Sequence, residues 1–206
     1  MKVRFAPVVV AAAMLLALPQ AADAHIIASR LGDFYTGALH PLTDLQDLIL
    51  WGAMGVLAGS LGAATGRWLV LVFPIGLLAG LILGRAFGLA IAGPTVDAVM
   101  ILLLGLLLAA AARIPTMLLC AIGFGLAMVR GAANASDLAP ETDHVLFAAG
   151  LACAGYAAIT LVMALTLAFG SDHGAPAAAW RGIAIRALGG WIAAIGLMMA
   201  GLAFAS

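Results

Sequence analysis

Apolar residues run through this chain in blocks of roughly 17–25, broken by short polar or turn-forming stretches, and that length crosses a hydrocarbon layer as helix. The blocks predict six spans, at about residues 44–64, 68–85, 96–112, 115–129, 144–169 and 183–205. The first closes on the Thr65-Gly66-Arg67 turn. The third stops at Arg113-Ile114-Pro115, where proline suits the first turn of the next helix. No low-complexity tract or long linker separates the blocks. The expectation is an all-α, polytopic membrane helix bundle of six transmembrane helices forming a single domain over residues 25–206.

The first block is of a different kind. Lys2 and Arg4 precede a short apolar run, Val8 to Leu18, and Ala22-Asp23-Ala24 places small residues at −3 and −1 of a cleavage site. This is the pattern of a secretory signal peptide, residues 1–24, with an uncleaved signal anchor as the alternative. Cleavage after Ala24 makes His25 the new N-terminus, outside the cytoplasmic membrane. Six spans then return the C-terminus to the same side. The turns carrying Arg67, Arg113, Arg181 and Arg186 face the cytoplasm, against Arg30, Arg85 and Arg130 outside, a margin that agrees with the positive-inside rule without deciding the orientation.

Composition sharpens this picture. The chain is 66% hydrophobic and 9% charged, with a mean hydropathy of +1.20. A formal net charge of zero leaves no basic footprint for nucleic acid. Cys120 and Cys153 lie in separate apolar spans, which suits packing and not a disulfide framework. Gly55 and Gly59, then Gly76, Gly80, Gly84 and Gly88, recur at the spacing that lets helix backbones approach closely in lipid. Pro74 predicts a kink in the second span. The expected surroundings are a lipid bilayer, with homo-oligomerisation left open.

The scarce acids and imidazoles gather at one predicted face. His25, Asp33, His40, Asp44, Asp47, Asp97, Asp137, Glu141, Asp143 and His144 all fall on the external side. If a helix begins near Pro41, His40, Asp44 and Asp47 stack at i, i+4 and i+7. One imidazole and two carboxylates suit a borderline divalent cation such as Ni, Zn, Co or Mn. The competing account is ordinary helix-start chemistry, proline at N1 with acids in the first turns. Asp97 sits just inside the third span, where a carboxylate marks an ion or proton path or else reaches the interface. Asp137 and Glu141 belong to an acidic external connection, and Thr142 or Asp143 is a natural N-cap for the fifth span. Asp172-His173 reads as a plain cytoplasmic loop. Phosphate-loop, metalloprotease, Cys-x-x-Cys and nucleophile-elbow motifs are absent, so the sequence names no enzyme and calls for no cofactor.

With these features in hand, the chain resembles the HupE/UreJ family, small membrane proteins of hydrogenase and urease gene clusters regarded as nickel permeases. The resemblance spans essentially the whole chain and is most specific at Gly37 to Thr43, Gly-Ala-Leu-His-Pro-Leu-Thr, and at the run closing on Arg113-Ile114-Pro115. The family's metal motifs are only partly kept. In the first, His followed after five residues by Asp-His, His40 survives, and Gln46-Asp47 stands at the Asp-His positions. In the second, Phe-His-Gly-x-Ala/Val-His-Gly-x-Glu, the residues here run from Val129 to Asp137, with Arg130 and Asn134 in place of both histidines. Arg130 sets a fixed positive charge where a cation ligand stood.

The resemblance implies a bacterial cytoplasmic membrane protein and secondary transport of a divalent metal cation, nickel being the inherited expectation. His40, Asp44 and Asp47 would capture the ion, with Asp97 as relay, Asp137 as second-motif carboxylate and the His25 terminus as a further chelator. The alternative is a non-transporting membrane accessory or assembly protein on the same scaffold. Water-filled access lined by Asp44, Asp47 and Asp97 would favour transport. An Arg130 ion pair plugging that space would favour the accessory role.

Overall fold

The structure is a computed structural model and describes residues 32–88, 93–136, 138–170 and 179–205. The expected signal peptide, residues 1–24, and His25, Asp137 and Asp172-His173 lie outside the described residues. Among the described residues seven helices follow one another: α1 (Asp33–Thr43), α2 (Leu45–Ser60), α3 (Ala63–Phe87), α4 (Pro94–Ala109), α5 (Thr116–Ser136), α6 (His144–Gly170) and α7 (Ala179–Ala205). No strand occurs among the described residues, so the all-α expectation holds.

Four of these helices, α3, α5, α6 and α7, are long and apolar enough to cross a membrane. At 25 residues α3 is about 37 Å long, more than the roughly 30 Å of a hydrocarbon core. α2 and α4 have 16 residues each, about 24 Å. The outer faces are apolar: Ile75, Ile82, Leu103, Leu161, Leu165, Trp191 and Leu197 are all exposed. Such surfaces are costly in water and match acyl chains.

α1 is an element that the apolar blocks did not predict. At 11 residues it is too short to register as a span, yet Gly37 and Pro41 are buried at i and i+4 on one face. Gly37 meets the backbone of Phe147, and Gly150 of α6 meets Phe34 and Ala38. The Asp33 carboxylate accepts from the Asp143 amide at 2.8 Å. Asp143 also accepts from Val145 and Leu146 at 3.0 and 3.1 Å, so it is the N-cap of α6 as expected.

Backbone contact at glycine fixes the pairing of the long helices. A Cβ at Gly76 would stand 2.8 Å from the Phe124 carbonyl, and one at Gly84 2.7 Å from that of Ala132, so α3 and α5 run side by side in the same direction. Gly55 meets Val162, and Gly59 meets Thr166 and Met163, which sets α2 parallel to α6. Gly189 against Leu108 and Gly196 against Ala98 make α4 and α7 antiparallel. Gly88 belongs to none of these stripes: it ends α3 in a left-handed conformation, φ 60°. α3 passes through Pro74 as one uninterrupted helix.

The core between these pairs is built from Leu50, Met54, Leu57, Leu69, Phe73, Leu77, Ile101, Leu104, Leu119, Leu151 and Ile159. Arg130 of α5 lies beside Asp47 of α2, while Gly123 of α5 lies beside Met54, so those two helices are antiparallel. α2, α4 and α6 therefore run one way, and α3, α5 and α7 the other.

Candidate functional site

The polar cluster sits where α2 and α4 begin and α5 nears its end. Its local cause is a break at Asp44. The continuous helix expected from Pro41 does not form. Pro41 lies inside α1, and Asp44 is extended, φ −105° and ψ 112°, closing α1 and capping α2. Its Oδ1 accepts from the Gln46 amide at 2.8 Å, an N-cap bond that stabilises a helix start by about 1 kcal/mol. The three-residue face supposed for His40, Asp44 and Asp47 is thereby divided between two helices.

Three carboxylates nevertheless converge, on a guanidinium. Arg130 Nε donates to Asp47 Oδ1 at 2.6 Å, and Nη1 donates to Asp97 Oδ1 at 2.9 Å and to Gln46 Oε1 at 3.4 Å. Nη2 donates to Asp44 Oδ2. Arg130 is 3% exposed, Asp47 0% and Asp97 4%, so this is interior chemistry and not a rim ion pair. Of the three carboxylates, Asp44 is the one that keeps substantial contact with the outside, its side chain 31% exposed. A planar fork of donors suits this convergence, and lysine could not reproduce it. If every group is ionised, three negative charges face one positive charge.

His40 does not bond to the guanidinium; its ring lies edge-on to that of Phe147, with centroids 5.7 Å apart. Among the described residues, no group of three or more His, Cys, Asp or Glu is disposed to hold a metal ion. The four metal candidates that the structure describes are thus divided: Asp44, Asp47 and Asp97 meet at Arg130, and His40 packs beside them in α1. His25 and Asp137 lie outside the described residues. Glu141 is exposed, and a His144 ring nitrogen rests on the Thr142 carbonyl.

One member of the site, Gln46, went unnoticed as such in the sequence, whereas Asn134 was noted as standing at a motif histidine position. Gln46 was read only as a departure from the family motif, yet its side-chain oxygen completes the guanidinium's shell. Asn134 is 1% exposed, and its Nδ2 has no hydrogen-bond partner among the described residues. It follows Arg130 by one turn of α5, as Trp51 follows Asp47 on α2, and Trp51 Nε1 and Asp47 Oδ2 are likewise buried without hydrogen-bond partners among the described residues. Spacing of i, i+4 from Arg130 and Asp47 is the signal that points to Asn134 and Trp51; Gln46, adjacent to Asp47, carries no such signal.

A bundle with long apolar helices and a buried guanidinium–carboxylate cluster at one end defines an α-helical membrane protein with an internal polar site. The chain matches the family model described as HupE / UreJ protein over residues 12–200, and it belongs to that family. No curated protein and no solved structure matches it.

Proposed function

We infer that this protein is a HupE/UreJ-family membrane accessory protein whose permease-like cation site is filled by its own arginine. The single observation that carries this reading is the Arg130 guanidinium, bonded at once to Asp44, Asp47 and Asp97. A divalent cation entering there would have to displace a tethered cation from three carboxylates, two of them buried. Removing one partner of a buried pair costs about 3–5 kcal/mol, an obstacle built into the resting site.

The membrane arrangement belongs to the same proposal: a signal peptide over residues 1–24 and a six-span domain over 25–206 in the bacterial cytoplasmic membrane, with the mature N-terminus periplasmic. The alternating direction of α2 to α7 supports six passes. α2 and α4 are short for a span, and thinning of the bilayer or solvation of the cluster end would accommodate them. α1 would lie at the periplasmic surface.

A second reading, a divalent-cation permease with nickel as the family expectation, is favoured by the surplus of carboxylates over guanidinium and by the part-exposed Asp44. In that reading His40, Asp44 and Asp47 receive the ion, Asp97 passes it on, and Asp137 and His25 assist. Metal content of cells expressing wild type and Asp47→Asn at matched membrane levels separates the two, across Ni, Co, Zn and Mn. The accessory reading expects no rise for any metal. A rise in one metal that Asp47→Asn abolishes would replace it with the permease.

A further inference from the structure

At the end of the bundle opposite Arg130, a cavity of about 680 Å³ opens between the C-terminal ends of α2, α4 and α6 and the first turns of α3 and α7. Three guanidinium-bearing residues line it: Arg113 from the α4–α5 turn, and Arg181 and Arg186 from α7. No carboxylate is among its described lining residues. Its other walls are apolar, with Leu108, Leu167 and Ile185. Arg181 lies over the Phe169 ring, 5.6 Å from its centroid, which fixes one side chain of the set. Arg113 and Arg186 are exposed and reach the cavity from different elements. The Thr166 hydroxyl is engaged with the Val162 carbonyl, so the arginines supply the charged chemistry of this wall.

We propose that this cavity binds a phosphate group, with Arg113 and Arg186 as its principal donors and Arg181 as a positioned third. Planar guanidinium forks match phosphate oxygens in pairs, and basic pockets between helices at a membrane surface suit anionic lipid head groups. The apolar walls beside the arginines fit the glycerol and acyl portion of such a lipid, whereas a free phosphate would use the guanidinium groups alone. This site is separate from the Arg130 cluster and does not depend on the function proposed above.

The test uses the full-length protein, purified and stripped of lipid, and compares wild type, Arg113→Gln/Arg186→Gln and Arg85→Gln. Arg85, in the last turn of α3, lies at the other end of the bundle. Retention of phosphatidylglycerol against phosphatidylcholine is read by native mass spectrometry. Thermal midpoints are measured in nanodiscs of each lipid and, separately, in detergent with inorganic phosphate. The expected result is preferential retention of phosphatidylglycerol and a raised midpoint for wild type and Arg85→Gln. Affinity in the double variant should be about thirtyfold lower, from roughly fivefold per arginine. Stabilisation by inorganic phosphate with no lipid preference would assign the same site to a soluble phosphate ligand. No response to either probe, or an equal loss in Arg85→Gln, would overturn the proposal.

Discussion

Replacing Arg130 and replacing Asp47 should have very unequal consequences, although the two residues share one hydrogen bond of 2.6 Å. At an effective dielectric of about 20, a charge pair 4 Å apart is worth roughly 4 kcal/mol, and a like pair about 5 Å apart costs roughly 3 kcal/mol. Asp47→Asn removes one attraction to Arg130 and two repulsions, from Asp44 and Asp97. Its amide still offers an oxygen to Nε and sets an NH2 group where Oδ2 has no hydrogen-bond partner among the described residues. The expected change is within about 1 kcal/mol of zero, on either side. Arg130→Gln instead leaves three carboxylates facing one another with their shared cation gone, and the expected loss is about 3–5 kcal/mol. Unfolding free energies in mixed detergent micelles, titrated with SDS, give both numbers. The double variant completes a cycle whose coupling should reach about 1–3 kcal/mol. If Asp47→Asn costs as much as Arg130→Gln, the cluster is a balanced pair and the charge argument is wrong.

Other outcomes follow from the packing. Gly80→Ala would drive a methyl group to 2.8 Å from the Met128 Cα and should lower stability by about 1–3 kcal/mol, whereas Gly52→Ala, with open space around its Cβ, should be neutral or gain about 0.5–1 kcal/mol. Paired thermal melts of the two variants check this, and equal effects would refute the close α3–α5 approach. Ala111 closes α4 at φ 48°, and its amide and that of Ala112 bond back to Leu108 and Leu107 at 3.0 Å each. Ala111→Gly should therefore stabilise the protein by about 0.5–1 kcal/mol by relieving left-handed strain, and a lowered melting midpoint would contradict that geometry.

The helical blocks were legible because lipid-length apolar runs are a long-range signal that needs no partner to interpret. α1 was not. Eleven residues fall below the span length, and the face carrying Gly37 and Pro41 has meaning only against α6. The break at Asp44 was half legible: Asp44 is a good N-cap by residue type, but the i, i+4, i+7 spacing from His40 invited a continuous helix. Arg130 stood out as a departure from the family motif, and its pairing with an acid was foreseeable. That it would hold three at once was not. Its partners are 33, 83 and 86 residues away in sequence, brought together by an α2–α5 crossing that places Gly123 on Met54.

The account rests on a guanidinium standing where the related proteins would place a metal ligand. Divalent-cation binding by the purified protein tests it most directly, comparing wild type, Arg130→His and Arg130→His/Asp47→Asn by equilibrium dialysis with Ni, Co, Zn and Mn. The account predicts no bound metal in wild type, binding in Arg130→His, and its loss in the double variant. Stoichiometric metal on wild type, removed by Asp47→Asn or Asp97→Asn alone, would show that the site admits a cation with Arg130 present and would contradict it.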